Sequence, residues 1–428
     1  MYRTWRPAPD GALRGGSAAT LPSGEHLAGK ARRRHGATAI SEYEKFRRLL
    51  FAAPARRHML GRHCRLIRRK MPHSTIPSLE EIMRKRNFIA TGFFMLMALS
   101  AFSEAQAEHV TLKIAHFLSP LAPAQTDVLV PWCETLTAES QGRITCQFYP
   151  SMQLGGTPAQ LVNQVEHGVA DVVWTAPGYS SGRFPRIEAM ELPFMITDAT
   201  TGSRAVWEYA QTLAAEDFQS MKVLAVFSDG GTLFDTARTE IKSLDDIKGM
   251  KLRVPTRLAA QTVTAMGGLP ISMPAGQVTE AIAKGVVDGA LGSWEALHQT
   301  KLDEVTRFHT TPPAGGRMVV TTVLGLFMNK DVYARMSPEL QAVIDRNSGT
   351  PLVERFAQVW ENAGADARKA ALARGNKISA LAPEEYEAIV KSTRPVEDAW
   401  IKETDAKGLD GAALAKAARD IAEKYSKK

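Results

Sequence analysis

The sequence is short of the features that mark integral-membrane, metal-dependent or nucleotide-driven proteins. Its longest uncharged, mostly apolar run, Phe88 to Phe102, has fifteen residues, and a helix needs about 20 to cross a bilayer. No other segment comes close, so no spanning helix is expected. There is no P-loop, no C-x-x-C and no G-x-G-x-x-G after a strand, which removes the usual signs of nucleotide and dithiol chemistry. The histidines beyond position 107 (His109, His116, His167, His298 and His309) lack metal-ligand spacing, so neither a metal nor a cofactor is expected. Cysteine is scarce, with three in 428 residues. Positive charge is also missing from most of the chain. The formal charge is +8, yet residues 1–82 hold 17 Lys/Arg against 6 Asp/Glu, and residues 108–428 hold 33 against 38. A main body near −5 excludes a nucleic-acid surface as its default role.

What the N-terminal quarter does contain is an export signal. Met83-Arg84-Lys85-Arg86 precedes the apolar run, and Ala105-Gln106-Ala107 follows it. A short basic segment, an apolar stretch and an A-x-A site together make a secretory signal peptide. Residues 83–107 are assigned to it, with cleavage after Ala107 and a periplasmic product beginning at Glu108. The alternative is an uncleaved anchor. Residues 1–82 are rich in Arg, Gly, Ala and Pro without core-forming periodicity, and read as a disordered basic extension. Translation is expected to start at Met83, the rival being a genuine basic tail.

Beyond the leader, Cys133 and Cys146 remain, an even number in an oxidising compartment. Cys133 lies in a helical pattern and Cys146 in the strand-like Arg143 to Tyr149, with Gln141-Gly142 as the turn between. A disulfide is expected, two buried free thiols being the alternative. Strand and helix signals then alternate, which argues for α/β layers. Val110 to Ala115 alternates as a strand, Asp127 to Ser140 as a helix. Thr157-Pro158-Ala159-Gln160 offers an N-cap, a first-turn proline and a capping-box partner.

One stretch repeats. Gln160 to Asp171 and Gln277 to Asp288 both place Gln eight residues before Gly-Val-x-Asp. Two similar α/β lobes are the reading, against chance recurrence of a helix–Gly–strand unit. Ser337 to about Arg374, interrupted at Gly349-Thr350-Pro351, is long enough to run across both lobes. Pro383 to Thr404 and Asp410 to Lys424 read as closing helices.

Two segments invite chemistry. Gly178-Tyr179-Ser180-Ser181-Gly182 fits the G-x-S-x-G elbow of serine hydrolases, which needs strand, sharp turn and helix together. Pro177 and Pro185 flank it, and neither His298 nor His309 has an acidic partner placed by spacing, so Ser180 as a nucleophile is a minor alternative. The stronger candidate is Arg253 in Gly249-Met-Lys-Leu-Arg-Val-Pro255. It sits at the carboxyl end of a short strand, where open α/β sheets bind ligands. Its planar fork suits a carboxylate. The competing reading is a solvated surface arginine.

Leu154-Gly-Gly156, Gly168-Val-Ala-Asp171, Leu192-Pro-Phe194, Asp246 to Pro255 and Gly285-Val-Val-Asp-Gly289 occur in that order. Together they resemble the solute-binding proteins of tripartite ATP-independent periplasmic (TRAP) transporters, of the dicarboxylate-binding type, over essentially all of Val110 to Lys428. The resemblance implies a non-enzymatic, two-lobed periplasmic-binding-protein-like α/β fold with crossovers between lobes and a long bracing helix. It places residues 108–230 with 318–357 in lobe I and 231–317 with 358–428 in lobe II. It also implies hinge closure on a small organic acid, delivery to integral-membrane permease subunits driven by an ion gradient, and a monomeric binding protein. By position, Arg253 matches the carboxylate-clamping arginine. Phe117, Trp174, Thr175 and Tyr179 match the wall of one lobe, and Thr256, Ser293 and Trp294 the wall of the other. Sialate-binding members carry a second arginine after a Gly-Thr pair, whereas Gly231-Thr232 is followed here by Leu233. Many members carry Asn after the second lobe's Asp-Gly, where this chain has Ala290. These exchanges favour a monocarboxylate with an apolar or aromatic body. A binding protein for another transporter or sensor class is the alternative.

Overall fold

The alternation that starts at Val110 folds into two sheets that share one strand order. The computed structural model describes residues 108–427; the basic extension, the signal peptide with its cleavage site, and Cys64 lie outside them. The first sheet takes β1 (Val110–His116), β2 (Ile144–Tyr149), β3 (Val172–Thr175) and β4 (Met221–Ser228). The second takes β5 (Thr232–Thr236), β6 (Lys251–Val254), β7 (Leu269–Ser272), β8 (Gly289–Ser293), β9 (Phe308–Thr311) and β11 (Lys377–Ala380). Between the last two, β10 (Val323–Asn329) returns to the first sheet, giving the orders β2-β1-β3-β10-β4 and β7-β6-β8-β5-β9-β11. Read from β2 and from β7, the pairings run parallel, parallel, antiparallel, antiparallel in both sheets.

The sequence repeat has the same structural job in each lobe. Gly168 and Gly285 both end a helix with φ near +70°, a conformation glycine adopts without a Cβ clash. Three residues later, Asp171 Oδ2 accepts the Lys113 N–H of β1 at 2.8 Å, and Asp288 Oδ2 accepts the Lys251 N–H of β6 at 2.9 Å. Each aspartate thus fastens its loop to the second strand of its sheet, counted from β2 or from β7. In each sheet the antiparallel fourth strand arrives by a crossover. The chain passes from β4 to β5 through Asp229-Gly-Gly231 and back from β9 to β10 through residues 312–322.

Helices cover both faces of the sheets, so each sheet is flanked by two apolar clusters. In the first lobe these are α1 (Val130–Glu139), α2 (Leu161–Glu166) and α3 (Ala199–Thr212). The capping box at Thr157 forms, with Gln160 Oε1 accepting the Thr157 N–H at 2.8 Å. Asp198 caps α3 by accepting from Thr201 N at 2.7 Å. Cys133 on α1 and Cys146 on β2 are joined in a disulfide with 6.2 Å between Cα atoms, within the span such a bond requires. In the second lobe α4 (Arg257–Ala265), α5 (Val278–Ala283), α6 (Trp294–Gln299) and α7 (Leu302–Val305) follow.

Then come α8 (Lys330–Arg335), α9 (Pro338–Arg346) and α10 (Thr350–Ala373). The expected break between α9 and α10 falls at Gly349, whose φ is +70°. The 24 residues of α10 reach about 36 Å. Its buried stripe starts among the first sheet's side chains at Leu352, Phe356 and Trp360 and ends among the second's at Ala367 and Ala371. One continuous helix therefore ties both lobes. Of the closing helices, α11 (Pro383–Asp405) packs on α4. The last, α12 (Gly411–Ser426), differs from its expected place in lobe II. Ala415, Ala418 and Ala422 pack with Val206 and Tyr209 of α3 in the first lobe's core, because small side chains on one face of α12 let it lie close against α3. Among the described residues no helix is long and apolar enough to cross a membrane.

Candidate functional site

The carboxyl ends of β1, β3, β6 and β8 meet around a cleft with about 480 Å³ of empty space, part of it open to solvent. One wall is aromatic. Phe117, just past β1, stacks on Trp174 of β3 with centroids 5.0 Å apart and meets Tyr179 edge-on at 5.4 Å. Leu118 and Leu324 extend that wall, and Pro255, Ala275 and Leu291 face it from the second lobe.

Arg253 is the one basic side chain in this lining. It is 5% exposed, so the solvated-surface reading does not describe it. Its Nε donates to the Met273 carbonyl at 3.0 Å and its Nη1 to the Leu291 carbonyl at 3.1 Å. Those two bonds fix the plane of the guanidinium, and Nη2 is the nitrogen not committed to backbone. Burial pushes the Arg253 pKa down, with Tyr179, Asp229 and Asp235 opposing it; a guanidinium still stays charged across the physiological range.

The cation sits among buried acids. Asp229 Oδ1, at the first crossover, accepts from Gly231 N at 2.8 Å and Thr322 N at 3.1 Å, so one carboxylate pins both crossover segments. Burial lifts its pKa to about 6 against those bonds and Arg253. Below the cleft floor, Asp235 Oδ1 accepts from His309 Nδ1 at 2.7 Å, and His309 Nε2 faces the Asn376 amide at 3.2 Å. Burial raises Asp235 to about 6 as well. Glu295 lines the cleft at the start of α6, and burial raises it to about 8, with Asp229 adding to the effect. Glu191, beside the cleft, is likewise raised to about 8 by burial. At neutral pH both glutamates hold their protons, so neither adds a negative charge to that of Asp229 in the lining.

Five of the expected site residues reach the lining: Phe117, Trp174, Tyr179, Arg253 and Ser293. Three do not. Thr175 alternates away from Trp174 along β3 and is buried, with its hydroxyl 3.5 Å from the Pro158 carbonyl. Thr256 caps α4 by accepting from Ala259 N. Trp294 follows Ser293 and points to the opposite side, under Arg368 of α10 at 4.7 Å and against His309 at 5.8 Å. It is core, and the aromatic wall comes from the first lobe alone. Ser180 donates to the Ala159 carbonyl at 3.0 Å, and no helix follows it as a nucleophile elbow requires. Gly178 of that motif serves packing: a Cβ there would lie 2.8 Å from Thr256 Cγ2 and 2.9 Å from Glu191 Oε2. No group of three or more His, Cys, Asp or Glu suited to a metal occurs among the described residues. The sequence reading missed Asp229, Thr232, Glu295 and Gln299. The Asp-Gly-Gly turn after an apolar strand was the only signal for the first, and nothing in spacing marked the others.

The paired sheets, the crossovers and the strand-end arginine define a class, and the chain belongs to it: the profile of the bacterial extracellular solute-binding proteins of family 7 matches residues 114–403. These are the binding proteins of TRAP transporters, which take small organic acids and work with membrane permease subunits in the periplasm. Among solved structures, the chain is similar to a marine metagenome TRAP solute-binding protein specific for aromatic acid ligands, in complex with 3-hydroxybenzoate. That protein is 42% identical, with a TM-score of 0.72 over 74% of this chain and 99% of its own. A TRAP solute-binding protein from Rhodoferax ferrireducens, solved with copurified benzoate, is 41% identical with the same coverage and TM-score. The ectoine/5-hydroxyectoine-binding periplasmic protein of Ruegeria pomeroyi is 26% identical over 75% of this chain and 92% of its own.

Proposed function

We propose that this protein captures an aromatic monocarboxylate of the benzoate type between its lobes and hands it to the permease subunits of a TRAP transporter. The observation that carries this is the lining itself: one fixed guanidinium faces an aromatic and aliphatic wall. Arg253 receives the carboxylate with Nη2 and the outward side of Nη1, and the ring packs near Phe117, Trp174 and Tyr179. A second arginine is replaced by Leu233, which is fully buried in the second lobe, so a second acid group has no cation waiting. The protein reaches the periplasm through the signal peptide at residues 83–107 and works as a monomer.

A thermal-shift series tests this. Benzoate at a hundredfold excess over its Kd should stabilise the protein by about 2.7 kcal/mol, and succinate should leave the melting temperature unchanged. Stabilisation by dicarboxylates and not by aromatic monocarboxylates would overturn the reading. Esterase activity that Ser180→Ala abolished would overturn it more completely.

A further inference from the structure

We propose that the cleft has a second polar end, formed by Glu295 and Gln299 on α6, which reads a ring hydroxyl remote from the carboxylate, so that hydroxybenzoates are preferred over benzoate. The proposal rests on the benzoate-type reading and adds the feature that selects within that class. Glu295 and Gln299 are one helical turn apart and both line the cleft. Gln299 Nε2 donates to Glu295 Oε1, and Ser293 Oγ donates to Glu295 Oε2 at 3.4 Å. The other half of the Gln299 amide, Oε1, is buried and has no hydrogen-bond partner among the described residues.

A buried acceptor left unpaired is costly, and the side chain that carries this one lines the cleft. A hydroxyl resolves it, since it donates to Gln299 Oε1 and accepts from the protonated Glu295 carboxyl. Burial supports that proton, because it raises Glu295 to about 8. A second carboxylate on the ring would instead meet Asp229 and find no cation there. The ortho position lies next to the ligand carboxylate, so the meta and para positions are the ones this inference assigns to α6.

The test is isothermal titration of the whole protein with benzoate and with 2-, 3- and 4-hydroxybenzoate. At least one of the 3- and 4-isomers should bind about tenfold tighter than benzoate, and the 2-isomer should gain nothing. Gln299→Leu and Glu295→Leu should cut that preference, read as the ratio of hydroxybenzoate to benzoate affinity, to about twofold or less. Gln299 is partly exposed, so if Glu295→Leu fails to fold, its partner variant carries the test. Wild-type protein that binds benzoate without preferring a hydroxylated isomer overturns this inference alone, as does a preference that survives Gln299→Leu. Protein that binds none of the four acids overturns the benzoate-type reading beneath it.

Discussion

Replacing Arg253 by lysine separates the clamp from the charge. Lysine keeps the cation but presents a single nitrogen, which cannot hold the Met273 and Leu291 carbonyls and also offer a fork to a ligand. The loss to ligand can be sized from the geometry. Two guanidinium nitrogens face the carboxylate in the proposed complex, and hydrogen bonds to charged groups are worth about 1.5–3 kcal/mol each. Losing one costs about 2 kcal/mol, a thirtyfold rise in Kd. Arg253→Ala is a poorer probe. It removes the positive charge that acts on the buried Asp229 and Asp235, along with the bonds to the Met273 and Leu291 carbonyls, so a loss of stability would be mixed with the loss of binding. Titration calorimetry with benzoate, run beside thermal unfolding of ligand-free protein, distinguishes the two effects. A lysine variant that melts normally and binds within threefold of wild type would refute the clamp.

How much of this was legible in advance divides along physical lines. Local signals carried the elements: the Thr157 cap, the Gly142 and Gly168 stops and the Gly349 break are backbone requirements set within a few residues. The repeat ending in Asp171 and Asp288 was legible because each aspartate must reach the strand beside it. Arg253 was legible because a charged side chain in a short strand ending at Pro255 has few places to go. Side-chain direction after a strand end was not. Trp294 and Ser293 are neighbours at the junction of β8 and α6, and only packing against α10, some 70 residues later, decides which one faces the cleft. Glu295 and Gln299 were hidden for a similar reason. A glutamate near a helix start ordinarily reads as a solvated first-turn acid, and its burial depends on packing distant in sequence, with α10 lying along α6. The place of α12 was hidden because an alanine-rich face fits either lobe until α3 is seen to accept it.

Two further outcomes follow from contacts near the cleft. Gly178→Val places a branched side chain where even a Cβ meets Thr256 and Glu191, so it should hold the lobes apart, weaken benzoate binding by about tenfold or more and leave far-ultraviolet dichroism native; unchanged affinity would show that this contact is not part of the bound state. Glu191 is one of the buried acids that set the pH dependence of stability; it is 3% exposed and accepts from Val323 N at 3.0 Å through Oε1. Its folded pKa is raised from 4.5 to about 8. Below pH 4.5 both states carry the proton and its full contribution is present. Between there and pH 8 the unfolded chain releases the proton while the folded protein keeps it, so stability falls as pH rises, by about 1.4 kcal/mol per unit. Glutamine keeps the acceptor for Val323 but does not titrate. Glu191→Gln should therefore match wild type near pH 5 and exceed it by about 4 kcal/mol at pH 8 in urea unfolding. Glu295 has the same sign and remains in the variant, so a residual downward slope is expected. Parallel curves for the two proteins from pH 5 to 8 would mean that Glu191 titrates alike in the folded and unfolded chains, and that burial beside the cleft costs its charge nothing.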